Sequence, residues 1–262
     1  MGNRNFSLYC LTVISGISRL LKESFKIWVH KEVSFNKVPF QSHIMCLYFM
    51  VMKLEKKIAL LKERLNEDSL LPGWDSQKKM AVIPINDITA KAFIAPVDAK
   101  QASVAIILFE KDGNLSFLLT KRTSNVEHHK GQISLPGGGI DLGETPENAS
   151  LRESNEEIGI DIASLRLVGK LSTLYTPVSH FNIHAYIWFS DQYPKIVKNQ
   201  NEVEEVYEVS INELLSEEVL SITPISKEGM NINVPAYHFL NCVCWGATAM
   251  IISELKDILK NI

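Results

Sequence analysis

The stretch from Gly138 to Ile160 reads G-G-I-D-L-G-E-T-P-E-N-A-S-L-R-E-S-N-E-E-I-G-I and places an acidic helix behind a glycine-rich loop. Glu153, Glu156 and Glu157 are three and four residues apart, so their carboxylates project from one helix face. Like charges at this spacing repel each other by roughly 0.2–0.5 kcal/mol per pair on an exposed helix. A hard divalent cation such as Mg²⁺ or Mn²⁺ is the simplest compensation, because these ions prefer oxygen ligands. A solvated acidic face is the alternative for the three glutamates taken alone.

The residues at both ends of this acidic segment predict the limits of its helix. Thr145 can cap the first turn, and Pro146 fits the first helical position. Glu147 complements the positive end of the helix, and Gly159 suits the left-handed conformation that ends many helices. We therefore predict one short helix between Thr145 and Gly159.

Two further sets of residues have predicted roles beside the carboxylates. Gly137 and Gly138 let the backbone approach a metal ion or a phosphate closely, because they carry no side chain. We interpret Arg152 as an ion-pair partner that orients Glu144 or a neighbouring carboxylate, rather than as a substrate contact. Arg152, Glu144 and Gly159 are thus expected to be structural.

This stretch resembles the signature of the Nudix hydrolases, G-x5-E-x7-R-E-U-x-E-E-x-G-U, in which U is a bulky aliphatic residue. The matching positions are Gly138, Glu144, Arg152, Glu153, Glu156, Glu157, Gly159 and Ile160. Ser154 departs from the signature, and we expect it to weaken packing beneath the helix. The resemblance implies an α/β fold, the Nudix α-β-α sandwich with a mixed sheet and a loop-helix-loop. It also implies Mg²⁺ or Mn²⁺ as the cofactor.

We call the stretch from Gly138 to Ile160 the Nudix box. The segment before this box narrows the resemblance to the coenzyme A diphosphatase branch, whose motif is L-L-T-x-R-S-x3-R-x3-G-x3-F-P-G-G. Leu118-Leu119-Thr120-Lys121-Arg122 begins the match, and Pro136-Gly137-Gly138 ends it. Glu127 stands where the branch has arginine, and Leu135 where it has phenylalanine. The resemblance implies hydrolysis of coenzyme A or acyl-CoA to adenosine 3′,5′-bisphosphate and (acyl-)4′-phosphopantetheine. The expected substrate-binding residues are Lys121, Arg122, His129, Gly137 and Gly138.

The general base has several candidates. Glu153 is one, although tight binding to a metal lowers the basicity of a carboxylate. Glu202, Glu204 and Glu205 lie before a late predicted strand, in a region from which Nudix proteins often draw this residue. A solvated strand edge is the alternative interpretation of these three glutamates.

Two other functions remain open at this level. One is hydrolysis of a different diphosphate, such as ADP-ribose, NADH or an oxidised nucleotide, which the acidic residue Glu127 favours. The other is a non-catalytic module that senses nucleotides. Such a module would lack a carboxylate of the box, and in this sequence none is missing.

The composition excludes several classes of protein. The 262 residues carry a net charge of −3, which gives no basic footprint for nucleic acid. No apolar stretch is long enough to span a bilayer. The four cysteines lack the C-x-x-C spacing of a zinc site and are interpreted as reduced cytosolic thiols. We therefore expect a cytoplasmic protein with a small nucleotide substrate, and a homodimer is left open.

The domain prediction separates residues 1–50 from a Nudix domain at 51–262. The first fifty residues fit a membrane-surface appendage, an organellar presequence, or translated sequence ahead of a start at Met50 or Met52. We favour the last of these, because the recognisable pattern begins just after it.

The apolar pattern also predicts individual elements. A helix is expected from Lys53 to a stop at Leu71-Pro72-Gly73, and a last helix at 247–259. A hairpin should join 102–110 to 115–121 through Lys111-Asp112-Gly113-Asn114. Further strands are expected at 91–96, 165–174, 182–189, 205–211 and 234–239. Cys242 and Cys244 are expected to line one face of another strand.

Overall fold

The computed structural model describes residues 39–67, 70–123, 131–227 and 230–262. By its internal contacts the chain divides into Met1–Met50 and Val51–Ile262. The sheets and hydrophobic cores belong to the second unit. Most of the predicted N-terminal extension lies outside the described residues, so its status stays a prediction.

The described residues form five α-helices and eleven strands. The helices are α1 (Pro39–Leu65), α2 (Trp74–Gln77), α3 (Pro146–Ile158), α4 (Ile211–Leu215) and α5 (Gly246–Leu259). The strands are β1 (Lys100–Lys111), β2 (Asn114–Arg122), β3 (Ile133–Ser134), β4 (Gly137–Gly139), β5 (Leu165–Lys170), β6 (Leu174–Thr176), β7 (Phe181–Ser190), β8 (Val203–Ser210), β9 (Leu220–Lys227), β10 (Met230–Phe239) and β11 (Cys242–Trp245).

The main sheet has eight strands and is mixed. Strand β1 pairs in parallel with β7 along one edge. Along its other edge β1 pairs antiparallel with β2 and then with the glycine strand β4. Ser103 of β1 therefore lies between Gly138 of β4 and His184 of β7. The predicted α/β class with a mixed sheet is confirmed, and β9, β10 and β11 form a separate antiparallel sheet.

The predicted hairpin is confirmed, with a tight turn between β1 and β2. Asp112 and Gly113 both have positive φ, at 51° and 79°. Two consecutive residues of this kind form the turn type whose twist matches that of paired strands. Strand β1 pairs with β2 at Leu108–Lys111 and with β4 at Ala102–Val104, so β4 replaces β2 as the partner of β1 towards the N-terminal end of β1.

Both faces of β1, the central strand of the main sheet, are buried, which explains its nearly continuous apolar sequence. Ile106 and Leu108 join the larger core, which includes residues of α1 and α5. Ala105, Ile107 and Phe109 belong to a second core that also contains Ile158 of α3. Helix α3 is thus anchored on one face of the main sheet.

Three predictions about the elements are wrong. Residues 91–96 do not form a strand, because a 3₁₀-helix at Thr89–Phe93 occupies this segment. The Asn86 side chain accepts hydrogen bonds from the backbone N–H groups of Ile88 and Thr89, which favours a local turn over an extended chain. The first long helix ends at Leu65, six positions before Leu71.

The third error concerns the strands that follow α3. The predicted strand at 165–174 is divided into β5 and β6, and β9 was not predicted at all. The strand containing Cys242 and Cys244 is confirmed, and both cysteines are free thiols. Among the helices described, none has the length and apolar character needed to cross a membrane.

Candidate functional site

Helix α3 begins and ends where its sequence predicts. The Thr145 side chain accepts a hydrogen bond from the backbone N–H of Asn148 at 3.2 Å, and Pro146 is the first helical residue. At the other end Gly159 has φ 64° and donates its N–H to the Asn155 carbonyl. These caps fix which residues of α3 face the glycine strand.

Ser154 lies on the inner side of α3 and is fully buried. Its hydroxyl donates to the Ser150 carbonyl at 2.6 Å. The Ser150 hydroxyl in turn accepts a hydrogen bond from the Trp188 indole at 3.1 Å. A hydrogen-bonded chain thus occupies the space in which the Nudix signature has an aliphatic side chain.

The glycines of β4 allow the helix and the sheet to approach each other closely. A Cβ atom on Gly138 would lie 2.4 Å from a carboxylate oxygen of Glu153. A Cβ atom on Gly137 would lie 2.4 Å from the backbone oxygen of Ser103, and Gly137 also has φ 153°. The absence of side chains on β4 therefore brings Glu153 directly against the backbone.

Arg152 is the centre of the ion-pair network on α3. Its Nε and Nη2 atoms donate to the two carboxylate oxygens of Glu144, at 3.0 and 2.9 Å. Its Nη1 atom donates to Glu153 at 2.8 Å and to Glu156 at 3.1 Å. Nη2 also donates to the Gly139 carbonyl at 2.9 Å. One guanidinium therefore joins the loop before the helix to two of the predicted metal ligands.

Glu157 is the most deeply buried of the three predicted ligands, with 2% of its surface exposed. It accepts a hydrogen bond from the Gly137 N–H and another from Arg122, both at 3.3 Å. Burial raises the pKa of Glu157 to about 7, although the Arg122 guanidinium opposes this shift. Burial also raises the pKa of Glu153, and Arg152 partly offsets it. Both carboxylates would gain from an additional cation at this position.

The donor set fits a hard divalent ion, because Glu153, Glu156 and Glu157 offer only carboxylate oxygens. In the part of the chain that the structure describes, no three His, Cys, Asp or Glu side chains stand together closely enough to hold a metal ion. Glu153 and Glu156 turn towards Arg152, and Glu157 turns towards Arg122. Two guanidinium groups thus supply the positive charge in the arrangement observed.

The three candidate bases lie in different surroundings. Glu202 is close enough to Glu153 and Glu157 to raise the pKa of both carboxyl groups by repulsion, as a lesser cause beside their burial. Glu204 instead pairs with Lys121 at 2.8 Å. Glu205 accepts a hydrogen bond from the Tyr207 hydroxyl. The structure therefore brings Glu202 close to the acidic cluster formed by Glu153, Glu156 and Glu157, whereas Glu204 and Glu205 have other partners.

The predicted substrate contacts are only partly placed. Arg122 lies beside Glu157, whereas the Lys121 ammonium is on the Glu204 side of β2. Gly137 and Gly138 lie at the cluster, as described. The predicted contact His129 lies outside the described residues, as does Glu127.

Sequence reasoning did not find a pocket of about 430 Å³ at the N-terminal end of α3. None of its lining residues is a carboxylate of the box. The lining residues are Leu71, Pro146, Lys170, Leu171, Ser172, Thr173, His184, Ala185 and Tyr186. The alternation of His184 and Tyr186 in β7 places both on one face of the sheet, which is the only sequence signal that points towards this pocket.

Comparison with known proteins finds similarity to Nudix proteins. The model of the NUDIX domain matches residues 99–228. Nudix hydrolase 3 of Caenorhabditis elegans is 33% identical over 148 residues, which is 55% of this chain and 61% of that protein. The matched region therefore spans less than two thirds of the worm protein.

Two further relatives cover more of their own length. The uncharacterized Nudix hydrolase NudL of Yersinia pestis is 28% identical over 179 residues, 66% of this chain and 86% of the relative. The crystal structure of the Nudix hydrolase RenU from M. smegmatis has a TM-score of 0.43 and 16% identity, covering 63% of this chain and 88% of RenU.

The close approach at β4 predicts that its three glycines differ in their tolerance of a methyl group. We expect Gly137→Ala to lower the free energy of unfolding by about 1–3 kcal/mol, because its new methyl group meets backbone atoms that cannot move aside. Gly139→Ala is the matched control, since a Cβ atom there meets nothing within 4 Å. Urea unfolding of both variants measures the difference. Equal stability of the two variants would contradict the described packing of β4 on β1.

Proposed function

We propose that this chain is a Nudix hydrolase that cleaves the diphosphate bond of coenzyme A or acyl-CoA. The products are adenosine 3′,5′-bisphosphate and (acyl-)4′-phosphopantetheine. The proposal places the reaction in the cytoplasm, with a small nucleotide as the partner and a homodimer as an open alternative.

One observation carries the proposal: the segment that resembles the coenzyme A diphosphatase branch and the acidic helix form one site. Arg122, near the end of β2, contacts Glu157 of α3 at 3.3 Å. Thr120 of β2 is linked to Ser134 of β3 by their hydroxyl groups at 3.1 Å, which joins β2 to the strand that precedes β4. The two motifs, which share Gly138, are thus in contact around the same carboxylates.

The roles of the side chains follow from this geometry. Glu153, Glu156 and Glu157 would hold Mg²⁺ or Mn²⁺, which when bound neutralises diphosphate oxygens and makes a bound water more acidic. Arg122 adds a fixed positive charge at the edge of the cluster, where it can contact an oxygen of the substrate. Arg152 keeps Glu144 in place through two parallel hydrogen bonds. Gly137 and Gly138 let the Glu153 and Glu157 carboxylates lie directly against the backbone.

Glu202 is our choice for the general base. It is near the buried carboxylates, yet it lies on the chain segment before β8 rather than on α3. A base must reach the attacking water without being consumed as a tight metal ligand, which favours Glu202 over Glu153. Asn199 donates a hydrogen bond to the Glu202 carboxylate at 3.1 Å and so orients it.

A different diphosphate substrate is the second candidate, and Glu127 favours it. An acidic residue where the branch has arginine removes a positive charge that could contact the 3′-phosphate of coenzyme A. ADP-ribose, NADH and oxidised nucleotides lack such a group on the ribose. A non-catalytic sensing module ranks below both candidates, because all carboxylates of the box are present.

The choice of substrate is tested by incubating the purified protein with coenzyme A, 3′-dephospho-coenzyme A, ADP-ribose or NADH, with Mg²⁺ or Mn²⁺. We expect adenosine 3′,5′-bisphosphate from coenzyme A and the highest kcat/KM for coenzyme A or an acyl-CoA. Omission of the metal should abolish turnover, because no cation would then neutralise the negative oxygens of the diphosphate, which hinder attack by water. A preference for ADP-ribose, with no product from coenzyme A, would refute the coenzyme A proposal and indicate a Nudix diphosphatase of another specificity.

The assignment of the base predicts different outcomes for two neighbouring glutamates. Glu202→Gln should lower kcat by roughly 10²–10⁴-fold, the usual contribution of a general base. Glu204→Gln is the matched control and should stay near the wild-type rate, because Glu204 is engaged with Lys121 away from the cluster. Steady-state kinetics on one common substrate gives both values. A larger loss in the Glu204 variant would refute the assignment.

A further inference from the structure

The pocket beside the N-terminal end of α3 lies within reach of the acidic cluster. Pro146 lines the pocket and Glu153 follows seven residues later, which corresponds to about 10 Å along the helix axis at 1.5 Å per residue. His184 is two strands away from Gly138 across Ser103, which is again about 10 Å at the usual strand spacing. A substrate whose diphosphate lies at the carboxylates can therefore place a neighbouring group in this pocket. A volume of about 430 Å³ is ordinary for a small-molecule site.

The imidazole of His184 is held in place as a neutral ring. Its Nε2 atom is 3.1 Å from the side-chain oxygen of Gln101, and its Nδ1 atom is 3.5 Å from the Thr173 hydroxyl. Gln101 offers an acceptor, so the Nε2 atom carries the proton. Burial lowers the pKa of His184, and the nearby Lys170 ammonium lowers it further. With both nitrogens engaged, the ring presents an uncharged face.

Two other polar groups of the pocket are uncommitted. Lys170 of β5 and Tyr186 of β7 are directly opposite each other in the strand register, so their side chains share a face of the sheet. Neither the Lys170 ammonium nor the Tyr186 hydroxyl has a hydrogen bond or an ion pair to any other described residue. The pocket therefore offers the Tyr186 ring and two free donors to a ligand.

The remaining walls argue against an anion as the occupant. Pro146, Leu71 and Leu171 contribute apolar surface. The Glu147 carboxylate is close enough to Tyr186 to raise the pKa of its phenol, as a lesser cause beside burial. One ammonium, a neutral imidazole and a carboxylate close to Tyr186 suit an uncharged heterocycle with acceptor atoms better than a phosphate.

The wall at Ser172 is fixed by a buried carboxylate of the last helix. Glu254 accepts hydrogen bonds from the backbone N–H groups of Gly73 and Ser172, both at 3.2 Å. Gln77 links the same elements, donating to Glu254 at 2.9 Å and to the Ser172 carbonyl at 3.1 Å. The pocket is thus formed before a ligand arrives, which reduces the entropy cost of binding.

We propose that this pocket binds the nucleobase of the substrate, with the Tyr186 ring as the stacking surface and Lys170 as a donor to acceptor atoms on the edge of the base. This inference rests on the proposed function, because it assumes a nucleoside diphosphate derivative at the carboxylates. It makes Tyr186 and Lys170 the residues that determine which base is accepted.

The test is calorimetric binding of AMP, ribose 5-phosphate and adenosine 3′,5′-bisphosphate to the wild-type protein and its variants in Mg²⁺. Wild type should bind AMP more tightly than ribose 5-phosphate. Tyr186→Ala should weaken AMP binding roughly fivefold to a hundredfold, the range for loss of one base–aromatic stack, and leave ribose 5-phosphate unchanged. Tyr186→Phe should keep most of the affinity, because it keeps the ring. Tyr193→Ala, on the segment after β7 and outside the pocket, is the control and should bind all three ligands like wild type.

Two outcomes would overturn the inference. One is equal affinity of the wild-type protein for AMP and ribose 5-phosphate, or no binding of AMP at all. The other is a Lys170→Gln variant that weakens binding of the bisphosphate while AMP binds normally, since the pocket would then hold a phosphate. Binding does not require turnover, so base-dependent affinity in a protein that does not cleave coenzyme A would refute the proposed substrate and retain the pocket assignment.

Discussion

The contact between the Arg152 guanidinium and three carboxylates is the interaction on which the candidate site depends. Glu144, Glu153 and Glu156 would repel one another at these separations, and a single planar cation joins all three. Hydrogen bonds to Glu144 and Glu153 hold the pKa of Arg152 above its ordinary value, so the charge is permanent. The loop before α3 and the face of the helix are thus fixed relative to each other before any metal ion is considered.

The packing of α3 on the sheet places a second demand on the sequence. The helix must lie close enough to β4 for Glu153 and Glu157 to contact the backbone, and only glycine permits that approach at 137 and 138. Burial then disfavours ionisation of Glu157 and Glu153, a cost that the arginines offset only in part. The affinity for a cation that we propose for this site would follow from the same close packing that holds the helix in place.

The sequence predicted those features that depend on a few neighbouring residues. The caps at Thr145 and Gly159 and the turn at Asp112-Gly113 each have a local physical cause, and each is confirmed. The prediction for residues 91–96 failed because the Asn86 side chain, five residues earlier, accepts hydrogen bonds from Ile88 and Thr89 and starts a 3₁₀-helix instead of a strand. The extended strand β9 was missed because its apolar residues are largely exposed at a sheet edge and give no clear periodicity.

The candidate site likewise has features that the sequence predicts and features that only the fold shows. The acidic cluster could be predicted because its three glutamates lie on one turn of one helix. Glu202 could not be separated from Glu204 by sequence, since only the pairing of β8 with β2 shows that Lys121 engages Glu204. The pocket at Lys170 and Tyr186 was not predicted, because β5 and β7 come together only in the folded sheet.

We infer that Glu153, Glu156 and Glu157 bind a divalent ion together, and this claim can be tested by anomalous diffraction from crystals soaked in Mn²⁺. We expect an anomalous peak coordinated by oxygens of these three side chains, with Glu156 released from Arg152 and Glu144 still paired with it. A peak coordinated elsewhere, or none at concentrations that support turnover, would contradict the claim.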